Sequence, residues 1–330
     1  MQLPNLGKFT PCDMWNSIFA LPMDSESTAK VIDSVDLASF RGDKVFTPLN
    51  GAALAAVATM AYSDPVDQRL HLRKQPGVVS YHFLDSENNT GGEPDTGTQL
   101  TLVETRDALL VAARGTTPPW LANLGKENQP QWQDYFHDVA ALPVPNYAGN
   151  ASVHGGFKRA ADGIWTQLKP YLEQARAANK AVHFAGHSLG AAIAMHLADR
   201  ASFEMDLLAG SVVRTGGPDI GWADEDKHLQ ENGLARRTVN FINNTDPITV
   251  VLPGGVTTGH QVYFDRNGQA SLEKGSHWCN RVLGGLKGLS KGNIDPLYDH
   301  VPVFYNEKIQ DPKNAPVLAE LEKVVSASGD

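Results

Sequence analysis

The stretch VHFAGHSLGAAIAMHLADR, residues 182–200, decides the fold. Residues 181–186 form a short apolar run of strand character, and from Leu189 small and apolar residues continue at once into a helix. Between them stands Gly186-His187-Ser188-Leu189-Gly190. A lone G-x-S-x-G is a weak signal, expected by chance in about one chain in ten of this length at average composition. Between a buried strand and a helix it is far narrower, because it becomes the sharp turn that thrusts a serine oxygen out at a sheet edge. Gly186 and Gly190 remove side chains that would collide with the neighbouring strand and helix. The helix that follows aims its first N–H groups and the positive end of its dipole at the same spot. Ser188 is therefore read as a nucleophile.

Working outward, strands and helices alternate from about residue 108. ALLVAA (108–113) is apolar throughout, as a strand covered on both faces must be. It is preceded by a second strand across a tight turn at Thr105-Arg106-Asp107. GFKRAADGIWTQLKPYLEQARAANK (156–180) carries Phe157, Ala160, Ile164, Leu168 and Leu172 at helical spacing. AGSVVRTGGPDIG and TVNFINNTDPITVVLP each read as strand then loop, and GHQVYFDRNG as a strand ending in an Asn-Gly turn. LNGAALAAVATMAYSD (49–64) reads as a helix, GVVSYHFLD (77–85) as a strand, and VPVFYNEKIQ opens a helix with Pro302 in its first turn. The alternation implies an α/β fold with a mostly parallel central sheet and helices on both faces. One domain over 1–330 is expected, with residues 1–45 peripheral and 325–330 a frayed tail. Residues 117–133, with three prolines and no period, form an irregular excursion.

Bulk composition narrows the function. The chain has 330 residues, 42% hydrophobic and 20% charged, enough to bury a large core without disulfides or metals. Its two cysteines, Cys12 and Cys279, rule out a disulfide scaffold and are read as buried thiols in preference to one bridge. A formal charge of −9 and the lack of any basic stripe argue against a nucleic-acid partner. No run of about 18 apolar residues occurs, so no transmembrane helix is expected. The N-terminus lacks a basic start followed by an unbroken apolar core, so no signal peptide is expected. That leaves cytoplasmic residence or export without a cleaved leader. No His/Asp cluster has metal-ligand spacing, and neither metal nor organic cofactor is expected.

A serine hydroxyl needs a base, and the base needs an orienting carboxylate. His187 is adjacent to Ser188, but side chains at a sharp turn diverge, so it is not the expected base. His183 on the strand and His196 on the helix suit structural roles. With the chain order serine, acid, histidine of α/β-hydrolases, the bases left are His260, His277 and His300. His300, in a loop directly before a C-terminal helix, is preferred. Asp246 ends an alternating apolar strand and is followed by Pro247, which forces a turn. It is preferred as the acid over Asp219, whose Gly-Gly-Pro setting reads as a tight structural loop. Asp299 reads as a helix-start or loop residue.

These residues resemble the class 3 lipases, the α/β-hydrolase family that includes the filamentous-fungal triacylglycerol lipases. Five segments carry the likeness in the family's order: LLVAARGTT, VHGGFKRA, VHFAGHSLGAAIA, NNTDPITVVLP and YDHVPVFY. The resemblance implies Ser188, Asp246 and His300 as nucleophile, acid and base. It also implies Thr116 as an oxyanion-hole residue acting with the N–H of Leu189, and Asp138 as the aspartate that steadies the Thr116 hydroxyl, with Asp134 close by. His154-Gly155-Gly156-Phe157 imitates another esterase oxyanion loop but lies one helix too late, and the family keeps it for packing at a helix start. The segment after Thr116 is longer and richer in proline than the family's lid, and 117–133, with Trp120 and Leu121, is read as a lid candidate. The function implied is a serine carboxylic-ester hydrolase acting on lipid esters, with a substrate met at a lipid–water interface. A phospholipase A1, as in an exported effector, a small-ester esterase and a catalytically silent binding protein remain as alternatives. Acyl chain length and oligomeric state are not legible.

Overall fold

Every residue of Ala108-Leu109-Leu110-Val111-Ala112-Ala113 is buried, and alternate residues serve different cores. Ala108, Leu110 and Ala112 join one apolar cluster, while Leu109, Val111 and Ala113 join another on the opposite face. This is the period of two of a strand covered on both sides. The computed structural model describes residues 25–89, 94–115, 142–273 and 299–327.

In chain order the main elements are α1 (Ser25–Asp33), α2 (Pro48–Met60), α3 (Pro65–Leu72), β1 (Ser80–Asp85), β2 (Gln99–Glu104) and β3 (Ala108–Ala113). Then come β4 (Pro143–Pro145), β5 (Ser152–His154), α4 (Gly155–Ala177), β6 (Ala181–His187), α5 (Leu189–Met205), β7 (Ser211–Thr215) and α6 (Ala223–Glu231). The last are β8 (Thr238–Asn243), β9 (His260–Phe264), β10 (Ala270–Glu273), α7 (Pro302–Gln310) and α8 (Ala315–Ala327). One sheet has the order β1-β2-β3-β6-β7-β8-β9-β10, and β4 pairs with β5 as a separate ribbon. β3, β6, β7, β8 and β9 run parallel. The flanking pairs β1/β2, β2/β3 and β9/β10 are antiparallel. The β9–β10 turn is closed by Asp265, whose Oδ1 accepts from the N–H groups of Asn267 (2.8 Å) and Gln269 (2.9 Å).

Helices cover both faces. α1, α2, α7 and α8 supply one core, with Ile32, Leu54, Tyr305 and Leu321 against Val213, Phe241 and Phe264 of the sheet. α4 and α5 supply the other, with Ile164, Leu168 and Leu197 against Phe184 and Val212. Two boundaries differ from the sequence expectation. The N-terminal stretch to residue 45 is not wholly peripheral, because α1 packs on α2 with Ile32 in the core, and Leu37 and Phe40, which follow the helix, are buried in the same core. The chain end is ordered further than expected, because Val325 is buried and α8 continues to Ala327. Among the described residues no helix is long and apolar enough to cross a membrane.

Loops at the carboxyl ends of β6, β7 and β8 gather on one edge of the parallel sheet, where open α/β sheets offer a crevice for ligands.

Candidate active site

β6 ends at His187 and α5 begins at Leu189, so Ser188 is the whole connection. Its backbone has φ 58° and ψ −133°, conformations an L-residue rarely adopts. The turn is possible because its neighbours lack side chains. A Cβ on Gly186 would overlap the Gly190 backbone, and one on Gly190 would overlap the Ala113 carbonyl of β3. Ser188 N–H donates to the Thr215 carbonyl at 3.0 Å, tying the elbow to the end of β7. Leu189 and Gly190 open α5, and N–H groups in a first helical turn have no partner within the helix.

β8 delivers the acid. The chain leaves the strand at Asn243 and turns at Asp246, whose N–H donates to the Asn243 carbonyl at 2.9 Å. Pro247 then starts a short 3-10 turn. Asp246 Oδ1 accepts from the Ile248 N–H at 2.9 Å, and Oδ2 from the Tyr305 hydroxyl at 2.6 Å. Both oxygens face His300 Nδ1, at 3.0 and 2.8 Å. The other ring nitrogen, Nε2, stands 2.9 Å from Ser188 Oγ. All three side chains are buried.

The structure therefore brings Ser188, His300 and Asp246 into one hydrogen-bonded chain, with Leu189 beside Ser188. Thr116 and Asp138 lie outside the described residues, as do Asp134, His277, Cys12, Cys279 and the whole 117–133 segment. The other candidates go elsewhere. Asp219 accepts from the Thr257 hydroxyl at 2.7 Å and faces the buried Arg214 guanidinium. His260 opens β9, and burial holds it below the ordinary imidazole range. His183 is in the core, bonded to Ser211 Oγ (2.8 Å) and the Gly42 carbonyl (3.2 Å), and burial pushes it down to about 4. His196 is buried on α5 and is pushed down to about 3 for the same reason. His154 caps α4 by accepting from the Phe157 N–H at 3.4 Å and stacks on the Phe157 ring.

Three supporting groups were missed by the sequence reading. Tyr305 donates to Asp246 and accepts from the Asn243 N–H at 3.1 Å. Burial and the Asp246 charge hold its phenol well above the usual range, so it stays a donor. Asp299 staples the histidine loop to the acid loop. Its Oδ2 accepts from the Thr245 N–H (3.1 Å), the Thr245 hydroxyl (2.9 Å) and Asn244 Nδ2 (2.9 Å), and its carbonyl accepts from Asn243 Nδ2 (2.8 Å). Tyr62 meets His187 from the end of α2. The one available signal was positional: Tyr305 lies on the first turn and a half of the helix that His300 precedes. Among the described residues no group of three or more His, Cys, Asp or Glu side chains is placed to hold a metal ion.

A parallel sheet with helices on both faces and a strand–serine–helix elbow at its carboxyl edge is the α/β-hydrolase fold. Residues 110–255, from β3 through the acid loop, match the family model for Lipase (class 3). That match identifies the protein as a carboxylic ester hydrolase. No curated protein matches the sequence. Among solved structures the chain is similar to the Lip2 lipase of Yarrowia lipolytica, at 15% identity and a TM-score of 0.53 over 84% of this chain and 92% of that one. It is also similar to the lipase of Rhizopus microsporus var. chinensis, at 17% identity and a TM-score of 0.50 over 76% and 91% of the two chains. At these identities the two structures speak for the fold.

Proposed function

We propose that the protein hydrolyses lipid esters through an acyl-enzyme on Ser188, with His300 as general base and acid and Asp246 as the orienting carboxylate. The observation that carries this reading is the His300 imidazole, which spans from Ser188 Oγ at 2.9 Å to Asp246 Oδ2 at 2.8 Å. His300 Nε2 takes the Ser188 proton as Oγ attacks the ester carbonyl carbon, and the carbonyl electrons move onto oxygen. The oxyanion is met by the Leu189 N–H and, on the family resemblance, by Thr116, with Asp138 steadying the Thr116 hydroxyl. Such donors are each worth about 10²–10³ in rate. The oxyanion collapses, the ester C–O bond breaks, and the leaving alcohol takes the proton from Nε2. Water then repeats the sequence on the acyl-enzyme, releasing the fatty acid and free Ser188. Asp246 keeps the Nδ1–H tautomer and stabilises the imidazolium.

A fluorophosphonate probe tests the nucleophile. Wild-type protein is expected to be labelled on one serine, and Ser188→Ala is expected to lose both labelling and ester turnover. Labelling of Ser188→Ala at the wild-type rate contradicts the reading. An acyl-ester length series, run beside emulsified triglyceride and phospholipid vesicles, tests the substrate. Long-chain emulsified esters are expected to be cleaved; turnover of soluble short esters alone makes the protein an esterase, and preference for vesicles makes it a phospholipase.

A further inference from the structure

His187 was set aside as a base because it shares the elbow with Ser188. Its position shows a different use. Its Nε2 lies 2.7 Å from the main-chain carbonyl oxygen of His300. A carbonyl only accepts, so Nε2 carries the proton, and in a neutral ring Nδ1 is then an acceptor. The Tyr62 hydroxyl stands 2.9 Å from Nδ1, where it can donate. One neutral tautomer thus satisfies both ring nitrogens. The two imidazoles are tilted with centroids 4.6 Å apart, so His187 must stay uncharged whenever His300 takes a proton. Burial, and then the neighbouring His300, hold His187 well below the ordinary imidazole range. Burial raises the Tyr62 phenol, so its proton stays in place. The seat for Tyr62 is made by Gly115, where a Cβ would overlap the phenol oxygen. That gives the glycine of Arg114-Gly115-Thr116 a packing reason the motif alone did not supply.

We infer that His187, oriented by Tyr62, is a positioning residue that ties the His300 main chain to the nucleophile turn. The inference rests on the triad reading above. The physical case is the shortness of the path. His187 and Ser188 are consecutive, so one peptide unit and one hydrogen bond connect the nucleophile to the backbone of its base. His300 is followed closely by Pro302, which has no N–H to anchor the loop. Asp299 ties the loop sideways to the acid turn, and His187 ties it to the elbow. The height at which His300 Nε2 meets Ser188 Oγ is set between them. Misplacement of a reacting group by about 1 Å can cost about 10²-fold in rate.

The test measures kcat and KM on a water-soluble short-chain ester, below its solubility limit, for wild type, His187→Phe, His187→Gln, Tyr62→Phe and Ser188→Ala. Phenylalanine keeps the ring and loses both hydrogen bonds. Glutamine can donate to the His300 carbonyl and accept from Tyr62. His187→Phe is expected to lower kcat by about 10- to 100-fold with KM within about twofold. His187→Gln is expected to recover most of that loss, and Tyr62→Phe to lower kcat by less than His187→Phe. A His187→Phe kcat within twofold of wild type overturns the inference, as does a His187→Gln kcat as low as that of His187→Phe, which would mean packing alone. If His187→Phe does not fold, ¹⁵N imidazole shifts of the wild-type protein decide. His187 is expected to be neutral and protonated on Nε2, and to stay so through the pH range in which the enzyme turns over ester. A titrating ring, or a proton on Nδ1, overturns the inference. Turnover by Ser188→Ala removes the triad reading itself; an inert Ser188→Ala beside an unimpaired His187→Phe removes only this step.

Discussion

Ser188 holds a left-handed backbone at φ 58°, a conformation that costs about 1–3 kcal/mol and survives only where its surroundings impose it. Asp246 has the opposite character, with a relaxed turn but a crowded set of donors: the Ile248 N–H, the Tyr305 hydroxyl and His300 Nδ1. Tyr305 is the donor that mutation can remove cleanly. Tyr305→Phe keeps the ring in the core but strips Asp246 Oδ2 of a partner and leaves the buried Asn243 N–H without its acceptor. A buried group stranded in this way costs about 1–3 kcal/mol. The variant is expected to melt lower than wild type. If the lost donor also loosens Asp246, kcat falls by about tenfold, the equivalent of about 1.4 kcal/mol. Thermal melting read alongside ester turnover checks both. A lower midpoint with unchanged kcat would assign Tyr305 to the core alone.

At the scale of elements, α6 is the helix whose docking depends on protons. Glu225 on α6 is buried against Asp199 of α5, which accepts from His228 Nε2 at 2.9 Å and Asn232 Nδ2 at 3.1 Å. Asn146 Nδ2 donates to Glu225 Oε2 at 2.9 Å. Burial, and then the Asp199 charge, push the Glu225 carboxyl up to about 7. The hydrogen bond to Asp199 raises His228 as well. Between about pH 4.5 and 7 the folded chain therefore holds a Glu225 proton that the unfolded chain has lost, and stability falls as pH rises through that window. His228 acts in the same direction: its contribution is full below its unfolded value and is lost as pH rises through its raised folded value. Glu225→Gln fixes the neutral form, and its amide can donate toward Asp199. It is expected to raise the melting midpoint by about 5 °C at pH 8 and by much less at pH 5. Equal shifts at the two pH values would rule out a protonated Glu225. Legibility follows the same division between local and distant contacts. The elbow could be read because strand, turn and helix are contiguous, and the β2–β3 turn because Thr105 closes it locally, its N–H donating to the Ala108 carbonyl at 2.8 Å. Asp246 and His300 were chosen by strand ends and chain order, and the structure brings both to Ser188. Tyr62 left no pattern, because its partner lies 125 residues away in the chain, and Tyr305, 59 residues from Asp246, was marked only by its place in the helix after His300. α1 and α8 were not assigned from sequence; each takes its place by packing against α2 and its neighbours.

The whole molecule places its site between two unlike halves. One face of the sheet is covered by α4 and α5 from the middle of the chain. The other is covered by α1, α2, α7 and α8, from its two ends. That second face reaches the site directly, through Tyr62 just after α2 and through His300 and Tyr305 at the start of α7. α7 is locked to α2 where Asn306 Nδ2 donates to Thr59 Oγ1 at 2.7 Å, and α8 packs behind α2 with Leu318, Leu321 and Val325 buried. Loosening α8 should therefore unfold the site together with the fold. Leu321→Ala, distant from the reacting groups, removes a fully buried side chain and is expected to cost about 2–5 kcal/mol. That lowers the melting midpoint by about 5–10 °C while kcat at 25 °C stays within about twofold of wild type. If the molecule unfolds as one cooperative unit, the temperature at which fluorophosphonate labelling is lost falls by the same amount as the circular-dichroism midpoint. A labelling midpoint that holds while the spectroscopic midpoint drops would mean that the site belongs to a unit that melts separately from α8.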